Sequence, residues 1–194
     1  MTYSASAIRV DAVGIFWLMA IIIQASFSVA RSESCVVIKI SGRANSNSSQ
    51  NFKRLLTDEW KKGVRQFILD LSECTIMDST FLGIMVHFVE SAQSASKTES
   101  VSVALFEPIP CILDLIEDLG ASSLFNVLDA HDKSNLKFSD IPTESVADKR
   151  TLLQNSILAH QTLLKLITDP GKRDSIQGLI ELMETELQGL KTNS

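Results

Sequence analysis

The sequence predicts an α/β fold, with a mainly parallel or mixed β-sheet, packed α-helices and a C-terminal helical hairpin. Between residues 34 and 128, short apolar runs alternate with longer segments in which apolar residues recur at helical spacing. Strands that alternate with helices need crossover connections, and such connections join parallel strands. After residue 148 the pattern is helical only, in two amphipathic segments that the turn signal Asp169-Pro170-Gly171 separates.

Three predicted helices connect four predicted strands. The first helix begins in the polar run 44–50, whose asparagines and serines can cap it, and it ends at Gly63, which tolerates a left-handed backbone. The second helix follows the strand at 67–71. The third begins at Pro110 and stops at Gly120. The predicted strands, rich in β-branched residues or alternating apolar with small and polar ones, are 34–41, 67–71, 101–105 and 125–128.

We divide the chain into four parts, because 194 residues allow one domain with appendages. The hairpin is predicted to pack on the sheet or on itself, and the alternative is an arm for oligomerisation or partner docking. The parts are an apolar N-terminal extension at 1–33, the α/β domain at 34–130, a polar linker at 131–147 and the helical hairpin at 148–194.

The apolar run 12–30 has three interpretations. A signal peptide fits the small residues Ser28 and Ala30 before Arg31, although only one basic residue, Arg9, precedes the run. A transmembrane anchor fits its length of about 19 residues, at the short end of the usual range. The third interpretation is an extension outside the working protein, as when a start codon is assigned too early. These alternatives stay open on the sequence.

Composition and motifs exclude several classes of function. The net charge of −5 argues against nonspecific nucleic-acid binding, which needs clustered Lys and Arg. The three cysteines, Cys35, Cys74 and Cys111, lie in or next to apolar runs and are predicted to be buried free thiols of a reducing compartment. Phosphate-binding glycine loops, metalloprotease and hydrolase motifs do not occur, and nothing supplies a nucleophile with a nearby base. We therefore expect no enzyme activity, metal or cofactor.

The central stretch 67–89 reads FILDLSECTIMDSTFLGIMVHFV. Its first five residues form a buried strand, Ser72-Glu73-Cys74-Thr75 is predicted to be a connection, and a helix with one apolar stripe begins near Met77. Ser79 lies at the start of that helix. A serine there is either a simple N-cap, accepting a backbone N–H, or a phosphoacceptor. A phosphate would add a charge of about −1.5 to −2 where the helix dipole tolerates it.

These residues resemble the central motif of STAS-domain anti-sigma factor antagonists, also called anti-anti-sigma factors. In that family a strand reading roughly hhLDLS leads into hMDSxxLG and a helix, and the closing LDLIEDLGASSLFNVL is also similar. The resemblance extends from about Cys35 to Leu128 and departs at Phe81, where many members have glycine. It implies the STAS fold and identifies Ser79 as the phosphoacceptor. The residues it implies for partner binding are Asp78, Thr80, Phe81, Leu82 and Gly83.

The resemblance also implies partners. The unphosphorylated protein would bind an anti-sigma factor that is itself a serine kinase, and phosphorylation of Ser79 would end that binding. A PPM-type serine phosphatase would restore it. ATP would belong to the kinase, nucleic acid would not be bound, and the location would be cytoplasmic. The alternative is a non-enzymatic STAS scaffold or oligomerisation module in a signalling or membrane-associated complex, with self-association through the C-terminal helices. A third class is a small-ligand-binding STAS sensor.

Overall fold

The computed structural model describes residues 24–32, 35–95, 101–128, 136–142 and 147–192. Within these ranges, six strands form one sheet in the order β5-β4-β3-β2-β1-β6. Strands β2 to β5 pair in parallel, whereas β1 is antiparallel to both β2 and β6. The predicted α/β fold with a mixed sheet is therefore confirmed. The strands are β1 (Ser26–Arg31), β2 (Cys35–Ala44), β3 (Gln66–Met77), β4 (Ser102–Phe106), β5 (Asn126–Leu128) and β6 (Ser139–Ile141).

Five helices accompany these strands in the described residues, together with a short 3₁₀ turn at Ser122–Leu124. The first begins where Asn45 accepts the backbone N–H groups of Asn47 and Ser48, as the polar run predicted. The helices are α1 (Ser46–Lys61), α2 (Ser79–Ala95), α3 (Pro110–Asp118), α4 (Lys149–Leu164) and α5 (Pro170–Thr192).

Strand β1 lies inside the range 1–33 that the sequence analysis set apart as an extension. Its sequence alternates, so that Phe27 and Val29 are each 1% exposed while Ser26 and Arg31 face solvent. Taking 12–30 as one apolar run hid this period of two. The sheet thus begins before the predicted boundary at 34. Residues 1–23, which include the centre of the run, lie outside the described residues. No helix in the described part of the chain is long and apolar enough to cross a membrane.

Strand β3 is longer than predicted. The segment Ser72–Thr75 was expected to connect strand and helix, but β3 continues through it to Met77. After an irregularity in register, its second half pairs with the end of β2, where Gly42 faces Cys74 and Ala44 faces Met77. The side chain of Glu73 is exposed and accepts hydrogen bonds from Lys39 and Ser41 of β2, so a polar composition is compatible with this strand.

Three stacked aromatic rings connect β1, α1 and α2. Phe52 stacks on Phe27 at 5.6 Å and on Phe81 at 4.5 Å between ring centroids. All three side chains are fully buried, at 1% exposure or less. Such a cluster contributes more than its buried area alone. It fixes the start of α2 against the strand layer.

The C-terminal hairpin packs on the helices that cover the sheet. Helix α4 contacts α2 and α1, and α5 contacts α4. Ala159 and Leu163 of α4, both fully buried, belong to the main hydrophobic core, as does Ile167 after it. Asp169 accepts the backbone N–H of Lys172, and α5 begins at Pro170, within the predicted turn signal.

Candidate functional site

Asp78 joins the starts of two helices. One carboxylate oxygen accepts the backbone N–H of Phe81 in α2 at 2.8 Å, and the other accepts the N–H of Ser46 in α1 at 2.9 Å. The Asp78 backbone N–H in turn donates to the carbonyl of Ala44 at the end of β2. Asp78 is therefore the N-cap of α2, and the simple capping role considered for Ser79 is taken by its neighbour.

Ser79 occupies the first position of α2 and its hydroxyl contacts a histidine from the C-terminal hairpin. The distance from Ser79 Oγ to His160 Nε2 is 3.0 Å, and His160 Nδ1 lies 2.7 Å from the carbonyl oxygen of Ser156. A carbonyl only accepts, so Nδ1 carries a hydrogen, and in the neutral ring Nε2 accepts from the Ser79 hydroxyl. The geometry thus assigns Ser79 as the donor whenever His160 is neutral.

This Ser–His pair corrects the expectation that no nucleophile has a base nearby. The two residues are 81 positions apart, and only the fold brings them together. A serine with a hydrogen-bonded histidine resembles the first two members of a hydrolytic triad. Here, however, the third position is a backbone carbonyl, and His160 of α4 is only 4% exposed, at the contact of that helix with α2. The pair therefore has the hydrogen bonds of a buried contact and not the open approach that a substrate needs.

Helix α4 approaches α2 most closely at Gly83. A Cβ atom added there would lie 2.6 Å from both the Cβ and the carbonyl oxygen of Ala159, closer than real Cβ atoms come. Only glycine leaves room for this crossing, and an isolated glycine within a predicted helix was the one sequence signal of it. One turn earlier, Thr80 Oγ1 lies 3.4 Å from Ser156 Oγ. Three residues of α4 therefore contact three positions of the predicted motif.

The residues predicted to bind a partner are mostly buried in this conformation. Thr80 is 6% exposed, Phe81 and Leu82 are fully buried, and Gly83 is covered by Ala159. Phe81 points into the aromatic stack and Leu82 into the core. Asp78 and Ser79 keep partial exposure. The structure thus brings the motif together at the start of α2, beneath α4.

The residues that sequence reasoning missed all belong to α4: Ser156, Ala159 and His160. Sequence distance gave no signal for His160. Asn155 is a further buried polar residue of this helix; its amide donates to Gln50 at 2.6 Å, and it accepts a long contact of 3.4 Å from Lys53. The contact between α4 and the domain is therefore polar at several points as well as apolar.

A cavity of about 300 Å³ lies between α1 and α2, away from the Ser79 hydroxyl. Its walls are mainly apolar, from Trp60, Phe88 and Ala92. Its polar lining includes the side-chain nitrogen atoms of Lys53 and His87. Burial lowers the pKa of Lys53, and it also lowers the pKa of His87. Neither Ser79 nor His160 lines this cavity. Among the residues that the structure describes, no cluster of His, Cys, Asp and Glu could hold a metal ion.

The three thiols differ in their surroundings. Cys74 is buried, as expected, and burial raises its pKa. Burial also raises the pKa of Cys35, which is half-buried. Cys111, at the start of α3, is exposed, contrary to the expectation for all three. All three are free thiols.

Several solved structures are similar to part of this chain. Solved structures with a similar fold include SpoIIAA from Bacillus, an anti-sigma factor antagonist in its unphosphorylated form, at 17% identity with a TM-score of 0.44, covering 54% of this chain and 89% of that chain. The Thermotoga maritima protein TM1081 matches at 22% identity with a TM-score of 0.48, covering 54% and 86%. An anti-sigma factor antagonist from Mycobacterium paratuberculosis matches at 14% identity with a TM-score of 0.46, covering 55% and 87%.

No curated protein sequence matched the chain. A sequence model of the STAS domain matches residues 26–134, which begins at β1 and confirms the predicted STAS fold. Because this match spans more than half of the 194 residues, the chain belongs to the STAS domain family.

Proposed function

We propose that this protein is an anti-sigma factor antagonist, and that phosphorylation of Ser79 switches its binding to an anti-sigma factor with serine kinase activity. The observation that supports the proposal is that Asp78 and Ser79 have different roles at the start of α2. Asp78 caps the helix, so the Ser79 hydroxyl is not needed for that role and contacts a side chain instead of the backbone. Its modification would leave the backbone hydrogen bonds of the helix intact.

The expected effect of a phosphate follows from its charge. It would add about −1.5 to −2 beside the Asp78 carboxylate, at a helix N-terminus whose dipole stabilises an anion. A partner surface matched to a neutral hydroxyl would then meet repulsion and an unfavourable desolvation. A coupling of about 1–3 kcal/mol would change partner affinity about 5–150-fold. A PPM-type phosphatase would reverse the change, and the site of action would be the cytoplasm.

The proposal is tested in two steps on the native protein. Phosphopeptide mapping from its own cells should place a phosphoryl group on Ser79, with Thr80 as the neighbouring alternative in the same peptide. Capture of cellular proteins by Ser79→Ala and Ser79→Asp forms, followed by mass spectrometry, should then recover a histidine-kinase-like ATPase with the alanine form only. Equal recovery by both forms, or a chain unmodified under every growth condition, would contradict the switch.

A second candidate function is self-association through α5, which one observation favours. Leu179 and Leu182 on this helix are 41% and 72% exposed, whereas Ile180 between them is buried against the body of the protein. Two large exposed leucines are an apolar surface that a partner can cover. Sedimentation velocity of the wild type and of a Leu179→Lys, Leu182→Lys form should show a concentration-dependent dimer only in the wild type. A monomer in both would exclude this candidate.

A further inference from the structure

We propose that α4 is a reversible cover of the switch surface: in the closed state described above it blocks Ser79 and its neighbours, and it must leave α2 before kinase or partner can bind. This inference rests on the proposed function and specifies its regulation. The hairpin, which the sequence placed outside the STAS domain, is then the autoinhibitory element of the protein.

The first argument is the overlap of surfaces. The α2 positions that the family motif assigns to phosphorylation and partner binding are the positions that α4 contacts. Ser79 meets His160 at 3.0 Å, Thr80 meets Ser156 at 3.4 Å, and Gly83 packs on Ala159 so closely that a single added carbon would not fit. Two proteins cannot occupy one helix face at this distance, so the contacts of α4 and those of an external partner exclude one another.

The second argument is the chemistry of phosphoryl transfer. A serine kinase must place the γ-phosphate in line with the hydroxyl oxygen and accept its proton. In the closed state the hydroxyl lies 3.0 Å from Nε2 of His160, a side chain only 4% exposed, and donates its proton there whenever His160 is neutral. A kinase residue cannot reach the same hydrogen while α4 is seated. Ser79 is therefore a substrate only in the open state.

The third argument concerns how α4 is attached. Its polar contacts join His160 to Ser79, Ser156 to Thr80 and the Asn155 amide to Gln50, which accepts. A long contact of 3.4 Å runs from Lys53 to Asn155, and water can replace each of these contacts when the helix lifts. The ion pair from Lys165 to Glu90 joins an exposed ammonium to a half-buried carboxylate. Apolar burial lies in the same stretch of α4, where Ala159 and Leu163 are fully buried, and it continues at Ile167 after the helix. Opening α4 therefore exchanges its polar contacts for contacts with water and costs chiefly the burial of these apolar side chains.

A cover of this kind has a defined thermodynamic signature. Binding and phosphorylation both draw on the open fraction of the protein, so each is reduced by the same factor. If about 1% of the molecules are open, apparent affinity and apparent phosphorylation rate are both lowered about 100-fold. A substitution that opens α4 should raise both in equal proportion. A substitution at a residue that contacts the partner directly should change the affinity without an equal change in the phosphorylation rate.

The test uses the full chain and a chemical probe, so that no partner is needed. Thr80→Cys places a thiol where the side chain is 6% exposed, after Cys111→Ser removes the exposed native thiol. The rate of alkylation of this introduced thiol by iodoacetamide then reports opening above Thr80. Hydrogen exchange of the β3 amides in the same protein reports global unfolding. A reversible cover requires the thiol to react through openings that are more frequent than those of β3.

Two substitutions on α4 form a matched pair. Ala159→Glu places a carboxylate against Gly83, whereas Gln154→Glu adds the same charge to an exposed position of the same helix. The first should raise alkylation of the introduced thiol at least about tenfold while β3 exchange stays at the parent rate, and the second should change neither.

Three outcomes would overturn the inference: alkylation of the parent protein only at the exchange rate of β3, loss of the whole fold in Ala159→Glu, or equal effects of the two glutamates. Each would show that α4 is a permanent part of the core. The outcome is separable from that of the proposed function. Suppose that Ser79 is phosphorylated in cells but the introduced thiol reacts only through global unfolding. The covering role of α4 would then be refuted, and the phosphorylation switch would still stand.

Discussion

Replacing Asp78 tests whether this motif residue acts through the fold or through a partner. Its carboxylate accepts two backbone N–H groups, one from Phe81 in α2 at 2.8 Å and one from Ser46 in α1 at 2.9 Å. Asp78→Ala removes both acceptor oxygens, so that α1 and α2 each lose one hydrogen bond at their first turn. The effect should therefore appear in stability before any partner is added.

The magnitude follows from the two bonds. Loss of an N-cap typically costs about 1 kcal/mol. Loss of a second hydrogen bond to a charged acceptor adds about 1.5–3 kcal/mol. We expect Asp78→Ala to lower the free energy of unfolding by about 2.5–4 kcal/mol, a large part of the roughly 5–15 kcal/mol typical of a domain. Asp78→Asn keeps one acceptor oxygen for Phe81 but offers nothing to Ser46, so it should lose about half of this.

Urea denaturation followed by circular dichroism measures the change. With a slope of about 2 kcal/mol per molar urea, the midpoint of Asp78→Ala should fall by about 1–2 M without a change in slope. Asp58→Ala, which removes an exposed carboxylate from α1, is the control and should stay within about 0.5 kcal/mol of the wild type.

An unchanged midpoint in Asp78→Ala would refute the reasoning. It would mean that water or neighbouring groups replace both bonds at no cost, and that the aspartate of the motif serves a partner. A stability loss of the predicted size would instead warn that binding defects of Asp78 variants arise from the fold.

Two further predictions concern contacts that hold the outer elements. Arg31→Met should cost about 2–3 kcal/mol, because it removes a two-pronged partner, at 2.7 and 3.1 Å, from the buried Glu59 carboxylate and leaves only Lys62. The Arg31 hydrogen bonds hold the pKa of Glu59 below its ordinary value, so this stability is present above the unfolded pKa of about 4.3 and is lost as the pH falls through the folded pKa. In Arg31→Met, the free energy of unfolding should therefore fall less steeply as the pH is lowered into the acid range. An unchanged pH dependence would contradict the role given to the Arg31–Glu59 pair. Gly83→Ala gains about 1 kcal/mol of helix propensity but meets Ala159 at 2.6 Å, an overlap that costs about 1–3 kcal/mol in docking. Amide hydrogen exchange in α4 should therefore be faster in Gly83→Ala than in the wild type, while exchange in β3 should be unchanged. Exchange in α4 at the wild-type rate would refute the crossing geometry.

Much of the domain could be predicted because its signals are local. The strands and helices between 34 and 128 follow from apolar period, caps and turn residues, each readable within a few positions. Strand β1 was missed because it forms the alternating part of the run 12–30. The rest of that run is more uniformly apolar, and the two parts were taken as one segment. The second half of β3 was hidden because its polar residues are satisfied across the sheet by Lys39 and Ser41, which only the register reveals.

The candidate site also combines predictable and unpredictable parts. Asp78, Ser79 and Gly83 could be named from one short motif, since they lie on one helix start. Their surroundings could not, because His160 and Ala159 reach them through the tertiary packing of a helix that carries no motif of its own. Periodicity predicts that a helix has an apolar face, but it does not say which surface that face will meet.

The aromatic stack of Phe27, Phe52 and Phe81 has a practical consequence for anyone producing a shorter version of this protein. A recombinant fragment that starts at residue 34, where the sequence pattern suggests the domain begins, would lack the first ring of the stack together with Arg31. Phe52 and Phe81 would then border an empty slot at the edge of β2, and the Glu59 carboxylate would lose its main counter-charge. Such a fragment would expose a sheet edge that invites aggregation, and its failure to bind would say nothing about Ser79.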